Sequence, residues 1–293
     1  MGFTVFFHWK TKEAEKSQRL SPYICTPYTL GSMKVAILIS TYQSAATLHL
    51  IFKALSAQHT LPDEILIAED GQDKETQACV SLWKPKLPTI LVHCTQADEG
   101  FRKALILNKA VAQSTSDYIV QMDGDCLPPP FFIADHIAQA KKGRYLYGTR
   151  VHIREKYVPK VIEESILNFS FFNVSLKKRF RALRLPLLQF LFREQPVISP
   201  KFRGCNVSFW RDDFVAVNGY ETAFTGWGRE DSELIYRFHF LGIRGKRLKF
   251  SGQVYHLDHP EKDRSFFEAN DALQNATIAS KKIKATQGLD QLC

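Results

Sequence analysis

The segment "DYIVQMDGD" at residues 117–125 joins an apolar run to a pair of carboxylates. The run is rich in β-branched and aromatic side chains, which is typical of a strand buried on both faces. Asp123 and Asp125 follow with one residue between them, so both side chains reach one point beyond the strand. They would repel each other unless a cation lay between them, and a divalent ion that binds diphosphate oxygens meets this need. A simple Asp-Gly turn is the alternative.

Similar buried runs stand before this segment and alternate with helical patterns. The strands are "KVAILIS" (34–40), "DEILIAEDG" (63–71) and "TILVHC" (89–94), and the helices span about 44–58, 74–83 and 101–114. This alternation predicts a parallel sheet with crossover helices, in which ligands bind at the carboxyl ends of the strands. The polar residues there are Ser40, Thr41, Tyr42 and Asp70. Asp70 would accept hydrogen bonds from a base or ribose, or would belong to a turn.

The pattern continues less regularly beyond the proline run at 128–130. It predicts a helix at 131–141, a strand at 144–153, a long helix at 161–185, and a strand and short helix within 202–221. A helix at 231–244, a last strand within 247–260 and a helix at about 268–284 complete the prediction. The fold class is therefore α/β, with a mixed, mainly parallel sheet flanked by helices in a single domain.

Three further motifs carry residues suited to chemistry. In "GFRKA" (100–104), Arg102 stands at a helix start, where it could bind phosphate or simply face solvent. In "TGWGREDSEL" (225–234), Trp227 lies between two glycines and is followed by Glu230 and Asp231. An indole face stacks on a sugar ring, and of two adjacent acids one could hold a hydroxyl while the other takes its proton. An ordinary acidic first turn of a helix is the alternative.

The third motif, "VYHLDHP" (254–260), places two histidines past a strand. Either could be structural, or His256 could complete a metal site with a carboxylate, with His259 as the alternative ligand. An imidazole shifts the preference from Mg²⁺ toward Mn²⁺.

Composition restricts the class of protein. The 293 residues are 45% hydrophobic and 24% charged, which is typical of a globular chain, and no uncharged apolar window is long enough to span a bilayer. Six scattered cysteines without a CxxC pair fit a reducing, cytoplasmic compartment. The net charge of +9 is concentrated in 150–203, which holds twelve Lys and Arg against four Glu.

The basic stretch has two interpretations. Apolar residues at helical spacing with basic residues near the end predict either an amphipathic helix on an anionic membrane or a core-facing helix with a solvated basic side. A nucleic-acid-binding protein is a further alternative, but no recognisable binding module accompanies the charge. A sugar-phosphate nucleotidyltransferase is another, although the glycine-rich, lysine-bearing loop expected after the first strand is missing from "STYQSAATL".

Taken together, these motifs resemble the family 2 glycosyltransferases of the GT-A fold. "ILISTY", "AEDG", "GFRKALILNKA" and the DxD motif "MDGD" match the nucleotide-binding half. The later part, from "GCNVSFW" through "GWGRED" to "VYHLDHP", resembles the C-terminal module of the β-1,4-galactosyltransferases and the bacterial chondroitin-type polymerases. The resemblance covers roughly residues 33–260.

The resemblance implies an inverting, metal-dependent hexosyltransferase that uses a UDP-sugar. Ser40, Tyr42 and Asp70 would contact the uridine, Arg102 and Asp123 the donor diphosphate or ribose, and Asp125 and His256 the metal. Trp227 and Glu230 would hold sugar and acceptor, and Asp231 would be the base. Arg229 departs from the glycine usual in the galactosyltransferases and would add bulk and charge beside the sugar pocket.

We therefore predict that the chain is organised into four segments. They are an appendage (1–32), a nucleotide-sugar-binding half (33–127), an acceptor-binding and catalytic half (128–260) with a basic helical insertion at about 155–200, and a C-terminal helical tail (261–293). The expected acceptor is a glycan of lipopolysaccharide or capsule, which can be lipid-linked. We expect a cytoplasmic location, at the inner face of the cytoplasmic membrane if the basic stretch contacts lipid.

Overall fold

The computed structural model describes residues 33–260 and 263–292, so the predicted appendage at 1–32 lies outside the described residues. Twelve strands fall within them. They are β1 (Val35–Thr41), β2 (Glu64–Glu69), β3 (Ile90–Thr95), β4 (Tyr118–Asp123), β5 (Cys126–Leu127), β6 (Arg144–Tyr147), β7 (Arg150–Ile153), β8 (Leu176–Lys177), β9 (Glu194–Gln195), β10 (Asn206–Trp210), β11 (Arg244–Arg247) and β12 (Val254–Leu257).

Eight α-helices within the described residues flank these strands. They are α1 (Ala45–Ser56), α2 (Lys74–Trp83), α3 (Lys103–Gln113), α4 (Phe132–Ile137), α5 (Val158–Glu163), α6 (Arg211–Ala216), α7 (Glu230–Phe240) and α8 (Phe267–Ser280).

The larger sheet has the strand order β3-β2-β1-β4-β10-β6-β11-β9. β1 to β4 are parallel, as the strand–helix alternation predicts, whereas β10 runs antiparallel to β4 and β6. A smaller sheet has the order β5-β12-β7-β8. The mixed, mainly parallel α/β architecture is confirmed, and the carboxyl ends of β1, β2 and β4 lie at one edge, where the polar strand ends meet.

Alternation along the strands divides the core between the two faces of the larger sheet. On β1, Ile37 and Ile39 pack with α1 and α2, while Ala36 and Leu38 pack with α3 and α7. Successive strand residues point to opposite faces, so a sheet covered by helices on both sides needs the continuous apolar runs seen in the sequence.

The predicted strand at 144–153 is wrong, because it is two strands in different sheets, β6 and β7. The chain turns at Gly148, where an added Cβ would lie 2.2 Å from the Asn206 side chain and from the Gly252 carbonyl oxygen. The predicted strand within 247–260 is likewise shorter. Only β12 is extended, and it follows a bend with left-handed backbone at Phe250 (φ 66°) and Gly252 (φ 53°).

The predicted long helix at 161–185 is also wrong. α5 ends at Glu163, Ser165 is left-handed (φ 52°), and the rest is loop, the short β8 and one turn of 3-10 helix. Asn173 accepts hydrogen bonds from the backbone N–H and hydroxyl of Ser175, a local contact that competes with helical bonding. The aromatic and Asn-rich run at 168–175 also has poor helix propensity.

Candidate functional site

A cleft of about 720 Å³ opens at the carboxyl edge of the larger sheet. It lies between the ends of β1 and β4 on one side and the start of α7 on the other. Almost every residue that the sequence predicts for the site lines it. They are Ser40, Thr41, Tyr42, Asp70, Arg102, Asp123, Asp125, Trp227, Glu230 and Asp231.

Lys103 joins the two groups of carboxylates across this cleft. Its Nζ lies 2.9 Å from Asp123 Oδ1 and 3.7 Å from both Glu230 Oε1 and Asp231 Oδ2. Burial alone would lower the pKa of Lys103, but the attraction of Asp123, Asp231 and Glu230 outweighs it and holds the pKa well above its usual range. A permanent positive charge therefore lets acids that are distant in sequence share one buried space.

Sequence reasoning did not single out Lys103. It is the first residue of α3, and a lysine in a first helical turn is usually solvated. The sequence feature that could have identified it is its position directly after Arg102, in a helix that starts at the edge of the sheet.

Asp231 is held in a tight and largely buried position. Its Oδ1 lies 3.4 Å from the Tyr220 hydroxyl, whose single proton is shared with Gln121 Oε1 at 3.0 Å. On the other side, a Cβ added to Gly204 would lie 1.7 Å from Asp231 Oδ2, so only glycine fits there. Burial raises the pKa of Asp231 to about 7, against the lowering effect of Lys103 and with the repulsion of Glu230. Such a carboxyl group can exchange a proton near neutral pH.

Asp70 organises the loop that enters α3. Its carboxylate accepts hydrogen bonds of 2.6 Å from the Gln96 side chain and from the backbone N–H of Arg102. The Arg102 guanidinium turns back to Glu99 and to the carbonyl oxygen of Ala97, at 2.5 and 2.6 Å. Both residues line the cleft, and Asp70 also fixes the backbone at the start of α3.

Ser40 and Tyr42 line the cleft at the carboxyl end of β1. Ser40 donates a hydrogen bond of 3.0 Å to Asp123 Oδ1. The Tyr42 ring is half exposed, and its hydroxyl donates to Asp98. An exposed aromatic face at the mouth of a cleft is suited to stacking on a base.

Asp125, His256 and His259 form a group that could hold a metal ion, since one ligand atom of each lies within 4.8 Å of the others. Nε2 of His256 lies 3.5 Å and Nε2 of His259 lies 3.3 Å from Asp125 Oδ2. The structure therefore brings both candidate histidines to the same carboxylate.

The second ring nitrogen of His256 contacts a carboxylate that orients the imidazole, as is common for metal-binding histidines. Its Nδ1 lies 3.2 Å from Asp258 Oδ1, and Asp258 in turn contacts His152 and Lys177 at 2.6 Å. Burial alone would raise the pKa of Asp258, but the hydrogen bonds from Lys177 and His152 outweigh it and lower the pKa. One carboxylate and two imidazoles form a donor set that fits Mn²⁺, and Mg²⁺ less well.

Trp227 stands at the rim of the cleft on a segment that is shaped by its glycines. Gly226 (φ 70°) and Gly228 (φ 111°) are both left-handed, and a Cβ on Gly226 would lie 2.5 Å from the Phe266 ring. The indole stacks on Phe267, with ring centroids 6.2 Å apart, and remains 37% exposed. The Arg264 guanidinium also lies 5.6 Å from the indole centroid, so only the remaining exposed surface of the ring is available to a ligand in the cleft.

Arg229 does not point into the cleft, so the expectation of bulk and charge beside the sugar pocket is wrong. Its guanidinium forms an ion pair of 2.5 Å with Asp271 and lies over the Phe267 ring, both on α8. The backbone of Arg229 is left-handed (φ 75°), and Arg229 is not among the residues that line the cleft.

Comparison with known proteins agrees with this architecture. The family model for glycosyl transferase family 2 matches residues 36–211, and one described as the N-terminal domain of galactosyltransferase matches residues 193–260. Validoxylamine A glucosyltransferase of Streptomyces hygroscopicus subsp. limoneus is 27% identical over 221 residues, which cover 71% of this chain and 48% of that protein. Chondroitin synthase of Escherichia coli is 24% identical over 255 residues, covering 78% of this chain and 35% of the synthase. The chain thus spans about half the length, or less, of these two relatives.

Solved structures share the fold at low identity. A mannosyltransferase of Pyrobaculum calidifontis in complex with GDP-Man and Mn²⁺ has a TM-score of 0.57 and 17% identity, covering 92% of this chain and 69% of that chain. Residues 1–349 of S. aureus TarS in complex with UDP have a TM-score of 0.58 and 13% identity, covering 88% and 68%. The fold is that of the GT-A glycosyltransferases.

Proposed function

Because the chain belongs to glycosyltransferase family 2, we propose that it transfers a hexose from a UDP-sugar to a hydroxyl of a growing glycan, with inversion at the anomeric carbon. One observation carries the proposal. Asp123 and Asp125 at the end of β4 face Glu230 and Asp231 at the start of α7 across one cleft, with Lys103 between them. This arrangement offers separate places for a nucleotide diphosphate and for an attacking hydroxyl.

The donor half of the cleft would bind UDP. The exposed Tyr42 ring and the buried Asp70 carboxylate are suited to a base and to its N–H or ribose hydroxyl groups. The complex of the similar TarS structure with UDP and the position of the site at the strand ends support this assignment.

Asp231 would act as the base on the acceptor. As the acceptor oxygen bonds to the anomeric carbon, its proton passes to Asp231, and the bond from that carbon to the diphosphate oxygen breaks with its electrons on the diphosphate. Glu230 would hold the acceptor, and Trp227 would position the sugar ring. Attack from the side opposite the leaving group inverts the centre.

Asp125 and His256, with His259 as a third donor, would hold Mn²⁺ or Mg²⁺. When bound, such an ion stabilises the negative charge of a leaving diphosphate. The family argues against the alternative of a sugar-phosphate nucleotidyltransferase, which would release pyrophosphate.

The acceptor would be a bacterial surface glycan, such as lipopolysaccharide or capsule, and can be attached to lipid. The names of the relatives, chondroitin synthase and hyaluronan synthase, support a glycan. Within the described residues, no helix is both long and apolar enough to cross a bilayer.

The basic insertion supports a peripheral contact with a membrane at the cytoplasmic face. Five large apolar side chains of the insertion are 58–80% exposed and are together called the aromatic surface: Phe172, Phe180, Leu187, Phe190 and Leu191. Lys178, Arg179 and Arg181 stand beside Phe180 in the sequence and are suited to anionic headgroups.

The test is a screen of UDP-sugars for donor hydrolysis with Mn²⁺ or Mg²⁺, measured as UDP release. We expect release of UDP, with loss of activity in EDTA and recovery on adding Mn²⁺. Release of pyrophosphate, or full activity in excess EDTA, would contradict the proposal.

A further inference from the structure

A second cavity of about 270 Å³ adjoins the cleft and is strongly basic. Its lining includes six cationic side chains and no Asp or Glu. They are Arg150, Lys178, Arg181, Lys201, Arg203 and Arg247, which together define the basic pocket. Arg150 and Arg203 also line the cleft, so the two spaces share part of their walls.

The charges of the basic pocket have no acidic counterpart in the described part of the chain. Lys177 and Arg184, which are close in sequence, pair with Asp258 and Asp135 at 2.6 Å. None of the six pocket cations has such an ion pair with a described carboxylate. Like charges held together destabilise the fold unless an anion joins them, so the pocket is suited to binding one.

Backbone contacts hold two of these cations in place. Arg181 Nη1 donates to the carbonyl oxygen of Arg150 at 3.4 Å, and Arg203 Nη1 donates to that of Pro200 at 3.0 Å. Burial lowers the pKa of Arg247, and the neighbouring charge of Arg181 lowers it further, with Tyr147 acting in the opposite direction. The repulsion between Arg181 and Arg247 indicates that their charges converge.

The position of the basic pocket indicates that it would contact the acceptor and not the donor. Arg203 directly precedes Gly204, the residue against which the Asp231 carboxylate packs. The pocket therefore adjoins the side of the cleft where the acceptor hydroxyl would lie, whereas Tyr42 and Asp70 lie at the ends of β1 and β2.

We propose that the basic pocket binds an anionic group, a phosphate or a carboxylate, on the acceptor saccharide. This inference rests on the proposed function, because it uses Asp231 as the base. It narrows the acceptor from any glycan to one that carries negative charge near the hydroxyl that is extended.

The test measures binding of simple probes to the full chain by calorimetry, with and without UDP and Mn²⁺. The probes are glucose 6-phosphate, glucuronate and uncharged glucose. We expect at least one anionic probe to bind, glucose not to bind, and bound UDP not to compete. Binding of the phosphate alone or of the carboxylate alone identifies which group the pocket accepts.

The variant Arg181→Gln/Lys201→Gln removes two charges from exposed positions, so the fold should be retained. It should weaken binding of the anionic probe by about tenfold or more. Lys74→Gln, which removes an exposed charge at the start of α2 outside both cavities, should have no effect. UDP affinity and donor hydrolysis should stay unchanged in both variants.

Equal affinity of the anionic probe for wild type and double variant, or no binding of either anionic probe, would overturn the inference. Competition between glucose 6-phosphate and UDP, with weaker UDP binding in the double variant, would assign the pocket to the donor diphosphate and also overturn it. Failure of the proposed function would look different, because the wild type would then release no UDP from any donor.

Discussion

Asp231 combines burial with a nearby positive charge, and the proposed chemistry depends on this combination. Asp231→Asn is isosteric and removes the proton acceptor, so we expect kcat to fall roughly 10²–10⁴-fold. Lys103 and Asp123 remain in place, so affinity for UDP should be retained. Initial rates and UDP titrations of the same preparation measure both, and near-normal turnover would remove Asp231 from this role.

The same substitution should change how stability depends on pH. Burial raises the pKa of Asp231 to about 7 from an ordinary value of 3.8. A carboxyl group whose pKa is raised by folding stabilises the fold fully below its unfolded pKa, and this contribution is lost as the pH rises through its folded pKa. Asparagine has no such loss, so Asp231→Asn should gain stability relative to wild type between about pH 4 and about pH 7.

Thermal unfolding of both proteins without ligands measures this effect. We expect the Tm difference to move in favour of the variant by a few degrees across that range. A difference that is constant with pH would show that Asp231 is already ionised at low pH.

Individual site residues could be predicted because the rules for parallel sheets apply to them. Ser40, Asp70 and Asp123 follow apolar runs, and strand ends in such sheets meet at one edge. Lys103 could not be predicted in the same way. Its role depends on α7 being brought opposite the start of α3, which the local sequence does not encode.

At the scale of elements, α7 and α8 together position Glu230 and Asp231. Arg229 pairs with Asp271, Thr277 donates a hydrogen bond of 3.0 Å to Glu233, and Trp227 stacks on Phe267. The C-terminal helix thus supports the segment that carries Glu230 and Asp231, although it does not itself supply the acids.

Arg229→Gly tests this account against the expectation from sequence. Glycine relieves the left-handed backbone but loses the ion pair with Asp271, so the two effects on stability oppose each other and should leave a net change of about 1 kcal/mol or less. Because Arg229 faces α8, the order of preference among UDP-sugars should not change. Relative hydrolysis rates for a donor panel provide the measurement, and a switch in donor preference would show that Arg229 reaches the sugar.

Helices whose apolar residues recur with a clear helical spacing could be predicted from the sequence, whereas the structure of the basic insertion could not. α1, α2, α3 and α7 carry apolar faces that pack on the sheet, and their existence follows from spacing alone. At 161–185 the same spacing is present, but Phe169 and Leu176 are buried while Phe172 and Phe180 are exposed. These apolar residues therefore do not share one helical face, and local polar contacts and aromatic residues favour loop.

Across the whole molecule, the order of the strands was the least predictable feature. β10 inserts antiparallel between β4 and β6, and β7 leaves the larger sheet for a second one. Both depend on contacts between residues that are distant in sequence, such as the packing of Gly148 against Asn206 and Gly252. The cleft and the basic pocket are products of this topology, because β7 carries Arg150, which lines both, and His152, which lines the basic pocket.

The exposed aromatic surface yields a prediction for the whole protein. Phe172 and Phe190 are 80% and 74% exposed, and water-exposed rings of this size favour insertion into a lipid interface. The full chain should sediment with vesicles that contain anionic phosphatidylglycerol and much less with neutral vesicles. Phe172→Ser/Phe190→Ser should reduce sedimentation because it removes apolar area but no charge, whereas Leu82→Ser, at an exposed apolar site on α2, should not.

Salt separates the two contributions to this binding. High salt screens the attraction of Lys178 and Arg179 for the headgroups but leaves insertion of the rings intact, so it should weaken binding only in part. Complete loss in salt would mean that charge alone holds the protein at the surface. Equal sedimentation of the double variant and wild type would place the membrane contact elsewhere, and the aromatic surface would then require a different partner.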